Sequence, residues 1–145
     1  MRSMRSKTAT RVFILLVLLG CARVWAQDVT IVANKEVKVS QISQAQLHDL
    51  FTGTRSRFGD GSHALPVVLK GGPVHEVFLR NHVGDSPDEF RNRWRKMAFT
   101  GEGSMLKEFV SEAALLEYVA ATAGAIGYVS RKPEASNVKV LEITH

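Results

Sequence analysis

The chain has 145 residues, 45% of them hydrophobic, with 19 Lys and Arg against 14 Asp and Glu, a formal charge of +5. That charge is unevenly placed: residues 1–26 hold five of the 19 bases and none of the 14 acids, so 27–145 carries 14 of each and is neutral. A neutral domain lacks the basic footprint of a nucleic-acid binder, and with Cys21 the only cysteine, 27–145 can form neither an internal disulfide nor a thiol nucleophile.

The first element in chain order is an export signal. Arg2, Arg5, Lys7 and Arg11 precede the apolar run Val12–Leu19, and Val24-Trp25-Ala26 offers a cleavage site after Ala26. Basic segment, short apolar segment and A-x-A-like site are the three parts of a secretory signal peptide. The run is shorter than the ~20 residues a helix needs to span a bilayer. Leu18-Leu19-Gly20-Cys21 also resembles a bacterial lipobox, which would make Cys21 a lipidated anchor; the two readings stand as alternatives. Residues 27–145 are then one domain, with no repeat, low-complexity segment or linker to divide them.

Val29–Ala33 is short, β-branched and apolar, as in a strand covered on both faces. Ser43 and Gln46 form a capping box for a first helix, Ile42 can staple onto Leu47, and Leu47, Leu50 and Phe51 make its stripe before Gly53 ends it. Thr54–His63, with Gly59-Asp60-Gly61-Ser62, reads as a loop. Ala64–Leu69 is a second buried strand, with Pro66 near an edge or end. Gly71-Gly72-Pro73 opens a second helix that closes before Gly84.

A third helix starts at Ser86, with Pro87 in its first turn, Glu89 completing a capping box, and Phe90, Trp94, Met97 and Ala98 along one stripe. Ser111 caps a fourth, where Val110 can staple onto Leu115; Leu115, Leu116, Val119 and Ala120 face inward and Gly124 closes it. Ala125–Val129 and Val138–Ile143 are the last two strands. Strands interleaved with helices give an α/β domain with a mostly parallel or mixed sheet flanked by helices.

Three stretches in this order resemble phosphate ABC transporter substrate-binding proteins. Val39–Gly53 is similar to their "LS…QL…IF.G" segment, Arg57-Phe58-Gly59-Asp60-Gly61 to their "W.DG" turn with Phe for Trp, and Ala123–Val129 to "PGAIGYV" with Ala for Pro. Between them, Arg93-Trp94 to Gly101 resembles the "W…FTG" stretch of short, single-lobe members. The resemblance covers nearly all of 28–145 and implies a single lobe of a type II periplasmic binding protein-like fold. It also implies phosphate or another small anion as ligand, and an ABC transporter or other envelope protein as partner.

In the full-length members an Arg and a Ser-Gly-Thr at a strand-to-helix turn hold the phosphate. The corresponding turn here is Leu69-Lys70-Gly71-Gly72-Pro73-Val74, without a hydroxyl and with one N–H removed by Pro73. The anion-binding candidates are therefore Lys70 for charge and the backbone of Gly71, Gly72 and Val74 at a helix start. Arg55 and Arg57 join them as cations in a loop at strand ends, where open α/β sheets bind ligands. A single lobe leaves an anion half in water, so the expectation is weak or altered binding, or an anion closed between two lobes of a homodimer. The alternative, from another class, is a protein-interaction or scaffold module that binds no small ligand.

Other chemistry finds little support. His75-Glu76 begins like H-E-x-x-H, but Leu79 stands where the second His must fall. His75 and His82 are expected as surface or partly buried residues rather than metal ligands. No G-x-S-x-G, P-loop or G-x-G-x-x-G occurs. Arg91, Arg93, Arg95 and Lys96 around Trp94 read as the solvated face of a helix whose aromatics point inward. No enzymatic activity, metal or cofactor is expected.

Overall fold

The computed structural model describes residues 28–134 and 137–145, so the expected export signal, the expected cleavage site after Ala26 and Cys21 lie outside the described residues. The elements run β1 (Thr30–Asn34), β2 (Gln41–Ser43), α1 (Gln44–Thr52), β3 (Leu65–Leu69), α2 (Pro73–Phe78), a π turn (Leu79–Val83), α3 (Pro87–Thr100), β4 (Lys107–Phe109), α4 (Glu112–Ala121), β5 (Ala125–Val129) and β6 (Val138–Thr144). They form one six-stranded sheet in the order β2-β6-β1-β5-β3-β4.

The sheet is mixed in a particular way. β1 is antiparallel to both its neighbours, β5 and β6, while β2 is parallel to β6 and β3 is parallel to both β5 and β4. Five strands thus point one way and β1 alone runs against them. The carboxyl ends of five strands meet the amino end of β1 along one edge.

Both faces of the sheet are covered. β5 is buried at every position, and its alternation assigns the faces. A Cβ on Gly127 would lie 2.9 Å from Leu115 Cδ2 and 3.1 Å from Val67 Cγ2, so this residue faces α4. Tyr128 points the other way, where its ring stacks on Phe78 at 3.9 Å between centroids and Phe78 meets Phe51 edge-on at 4.7 Å. α4 covers one face; α1, α2 and the π turn cover the other, with α3 packed outside α1.

The expected helix starts are present. Ser43 with Gln46 and Ser86 with Glu89 form complete capping boxes, and Ser111 accepts from the Ala114 N–H. Pro66 costs the sheet nothing, because β4 pairs with β3 only from Val67 to Leu69. Phe90 and Trp94 are buried while the basic positions of α3 stay exposed, Arg91 paired to Asp88 and Arg93 forked onto Asp85 at 2.9 Å twice.

Four expectations need correcting. β2 and β4 are strands of three residues that local pattern did not mark; their neighbours' ladders make them. Val110 is 86% exposed and staples nothing. The second helix is not uniform, turning to π geometry at Leu79–Val83 before Gly84. His75 and His82 are each only 5% exposed. His82 lies within the π turn and faces the interior, where Nδ1 meets Gln44 Oε1 and Nε2 meets Asp28 Oδ1, both at 2.9 Å.

Buried Asn34 ends α4 from outside the helix, its Nδ2 donating to the carbonyls of Val119 at 2.9 Å and Ala120 at 3.1 Å. The close approach of α4 to β5 depends on Gly127 having no side chain. Gly127→Ala should lower stability by about 1–3 kcal/mol through overpacking, read as a fall in the urea midpoint. An unchanged midpoint would show that α4 can shift outward freely.

Candidate functional site

The edge where five strands end is also where helices begin. α1 follows β2, α2 follows β3 and α4 follows β4, so three helix N-termini, each with a partial positive charge, lie along it. α1 and α4 are closed by Ser43 and Ser111. α2 is not: its N-cap is Gly72, at φ 94 and ψ 175, with no side-chain cap. With Pro73 lacking a donor, the N–H groups of Val74 and His75 are left without a helical partner, and the first helical bond is Glu76 N–H to Gly72 O at 3.1 Å. Lys70, Gly71 and Gly72 are exposed beside them, Val74 half-buried. The Lys70 N–H itself donates to Phe109 O at 2.8 Å and is not free for a ligand.

The turn is held from below by a buried polar relay. Leu69 N–H donates to the Tyr128 hydroxyl at 3.0 Å, and that hydroxyl lies 2.5 Å from His75 Nδ1. Nδ1 is the one acceptor within reach of the hydroxyl proton among the described residues, which assigns the hydroxyl as donor to Nδ1 and the imidazole proton to Nε2. Burial, helped by the charge of Arg91, pushes His75 down from 6.5 to about 4, and burial pushes the Tyr128 phenol up. Both groups are neutral at ordinary pH, so the relay positions the turn and adds no charge to it.

Beside the turn is a shallow pocket of about 160 Å³, lined by Asp28, Val29, Val74, Val77, Ser130 and Arg131. It is smaller than the ~300–1,000 Å³ of ordinary ligand sites and suits only a small ion. Two carboxylates stand near. Asp28 is held below its ordinary range: burial acts to raise it, but bonds from His82 and the Val29 N–H outweigh that. Glu112 accepts from both the N–H and the hydroxyl of Ser130, so the hydroxyl at the end of β5 is taken internally. Sequence reading missed Ser130 and Arg131, although both directly follow the Gly-Ala-Ile-Gly-Tyr-Val strand.

The candidate residues do not gather round one cavity. Val74 lines the shallow pocket, whereas Lys70 borders a narrow slot with His75, Arg91 and Glu108. Arg55 and Arg57 are at the other end of β3: Ala64 N–H donates to Ser56 O at 2.9 Å, and Arg57 bridges to His63. A five-residue strand at ~3.3 Å per residue separates the two ends. The Arg57 guanidinium folds back onto Gly61 O at 2.9 Å. No group of three or more His, Cys, Asp or Glu residues that could hold a metal occurs among the described residues.

No protein-family profile matches the chain and no curated protein matches it by sequence. Solved structures do match. One, from Clostridium perfringens, is described as a phosphate ABC transporter substrate-binding protein with bound phosphate, at TM-score 0.61 and 17% identity over 79% of this chain. Another is an ABC-type phosphate transport receptor from Vibrio cholerae, at TM-score 0.52 and 15% identity over 79% of this chain. The chain spans less than half of each, 44% and 45% respectively. It therefore has the fold of about half of such a protein, a periplasmic binding protein-like α/β lobe.

The relay makes a testable pH dependence. Below 6.5 an unfolded His75 takes up a proton that the folded one refuses until about 4. Its contribution is thus complete above 6.5 and is lost as pH falls toward 4. Between about pH 7 and about pH 4.5 this should remove on the order of 2 kcal/mol. His75→Asn, which keeps an acceptor for Tyr128, should flatten that part of a urea-unfolding pH series; an identical slope in the variant would remove His75 as its source.

Proposed function

We propose that the chain is an exported solute-binding lobe that takes phosphate or a similar small anion weakly at the turn joining β3 to α2. The observation that carries this reading is the unclosed start of α2. It stands at the carboxyl edge of the sheet with two open N–H groups and with Lys70, in a fold shared with a protein described with phosphate bound. Amides at a helix start suit an anion, and an exposed Lys adds charge without geometry.

The same geometry limits affinity. No hydroxyl occurs at 71–74, Ser130 is occupied by Glu112, and Asp28 places a carboxylate on the pocket wall. A few exposed hydrogen bonds, each worth about 1.5–3 kcal/mol to a charged group, must offset the entropy of association. Dissociation constants on the order of millimolar follow. In this reading the signal at 1–26 sends 27–145 to the periplasm, where an ABC transporter or another envelope protein receives it. A second reading, an interaction lobe that binds no small ligand, is favoured by the Ser130 hydroxyl being occupied by Glu112.

Calorimetric titration of phosphate, with sulfate as control, tests the first reading. Saturable millimolar binding that weakens about tenfold or more in Lys70→Glu and in Gly72→Asp is expected. A folded protein that gives no heat up to about ten times that range sinks the anion site and leaves the interaction lobe.

A further inference from the structure

We propose that the groove at the amino end of β3 binds an amphiphilic anion: an apolar chain or ring that carries a carboxylate or sulfonate. The groove encloses about 470 Å³, inside the ~300–1,000 Å³ of small-molecule sites. Its walls come from the loop after α1, from β3, α3, β4 and α4, and from the segment between α3 and β4, so it is a concavity between elements. It is separated by the length of β3 from the turn at Gly71 and Gly72, and does not depend on anion binding there.

The floor is apolar and partly open to water. Leu65 is 38% exposed and Met105 47% exposed, and both line the groove with Trp94 and Met97. Large apolar side chains left in water inside a concavity are surface that a ligand gains by covering. The rim is cationic. Arg55 lines it, and Lys107 stands with its ammonium 4.6 Å from the Tyr118 ring centroid. Among the described residues neither cation has a hydrogen-bond or ion-pair partner for its side chain, although Arg91 and Arg93 elsewhere on the surface do. Glu102 is the one carboxylate of the lining.

These features select the ligand class together. A purely apolar ligand would cover the floor and make no use of the guanidinium. A bare anion would meet Arg55 and leave Leu65 and Met105 in water. A molecule with both parts satisfies both, its acid on Arg55, where a planar fork matches a carboxylate or sulfonate.

Fluorescence titration with anilinonaphthalene sulfonate, against uncharged phenylnaphthylamine, tests this on the purified protein. The expected result is saturable one-site enhancement with both dyes. Leu65→Asp and Met105→Asp should each weaken both by about tenfold or more, while Arg55→Ala should weaken only the sulfonate, also by about tenfold. Lys70→Glu, at the other end of β3, should change neither. These positions are exposed, and unchanged circular dichroism would verify that each variant is folded. No saturable enhancement overturns the proposal, as does affinity that survives both acidic variants. Equal loss of the two dyes in Arg55→Ala overturns its anionic part.

Discussion

The Tyr128 side chain decides where one strand stops and the next helix starts. β3 and β5 pair only at Leu65–Ala125 and Pro66–Ile126 and then diverge. Past that point the Leu69 N–H finds no strand partner on the β5 side and donates to the Tyr128 hydroxyl instead. The same hydroxyl reaches His75 in the first turn of α2, and the ring stacks on Phe78 one turn further along. A strand end, a helix start and a core aromatic are thereby tied to one side chain. The exposed turn from Lys70 to Val74 hangs from this buried relay, so its shape is set from beneath rather than by its own residues.

Helix starts were legible in the sequence because their signals are local. Ser43 with Gln46, Ser86 with Glu89, and Ser111 each satisfy an N–H within the same turn, and nothing remote can override that. The short strands β2 and β4 were not legible for the opposite reason. Gln41-Ile42-Ser43 and Lys107-Glu108-Phe109 become strands only because β6 and β3 lie beside them. The two histidines fail in the same way. With Phe78, Leu79 and Val83 they share one buried helical face, but what each imidazole meets, Tyr128 for His75 and Gln44 with Asp28 for His82, comes from remote parts of the chain.

The candidate site was half legible. The glycine turn was visible because Gly71-Gly72-Pro73 can only interrupt a chain, and a helix does start there. That Arg55 and Arg57 lie a full strand length from it was not visible, since sequence order gives separation along the chain and no direction in space. The groove near Arg55 was beyond reach altogether. Leu65, Met97, Met105 and Tyr118 come from four separate places in the chain, and each alone reads as an ordinary core or loop residue.

The orientation of β1 then bears on the charge along the carboxyl edge. Because β1 runs against the other five strands, its amino end brings Asp28 to the place where three helices present positive ends. Glu112 brings a second carboxylate, held by Ser130. Each helix start is worth roughly half an elementary charge, and two of the three are already closed by serine caps. The edge thus carries carboxylates of its own beside those helix starts, and the one turn left uncapped has Lys70 next to it and Arg131 on the wall of the adjoining pocket. On the proposed reading such a balance suits a small, readily exchanged anion and not the fully desolvated charge that tight capture demands, because each internal carboxylate that orders the edge also repels an anion brought beside it.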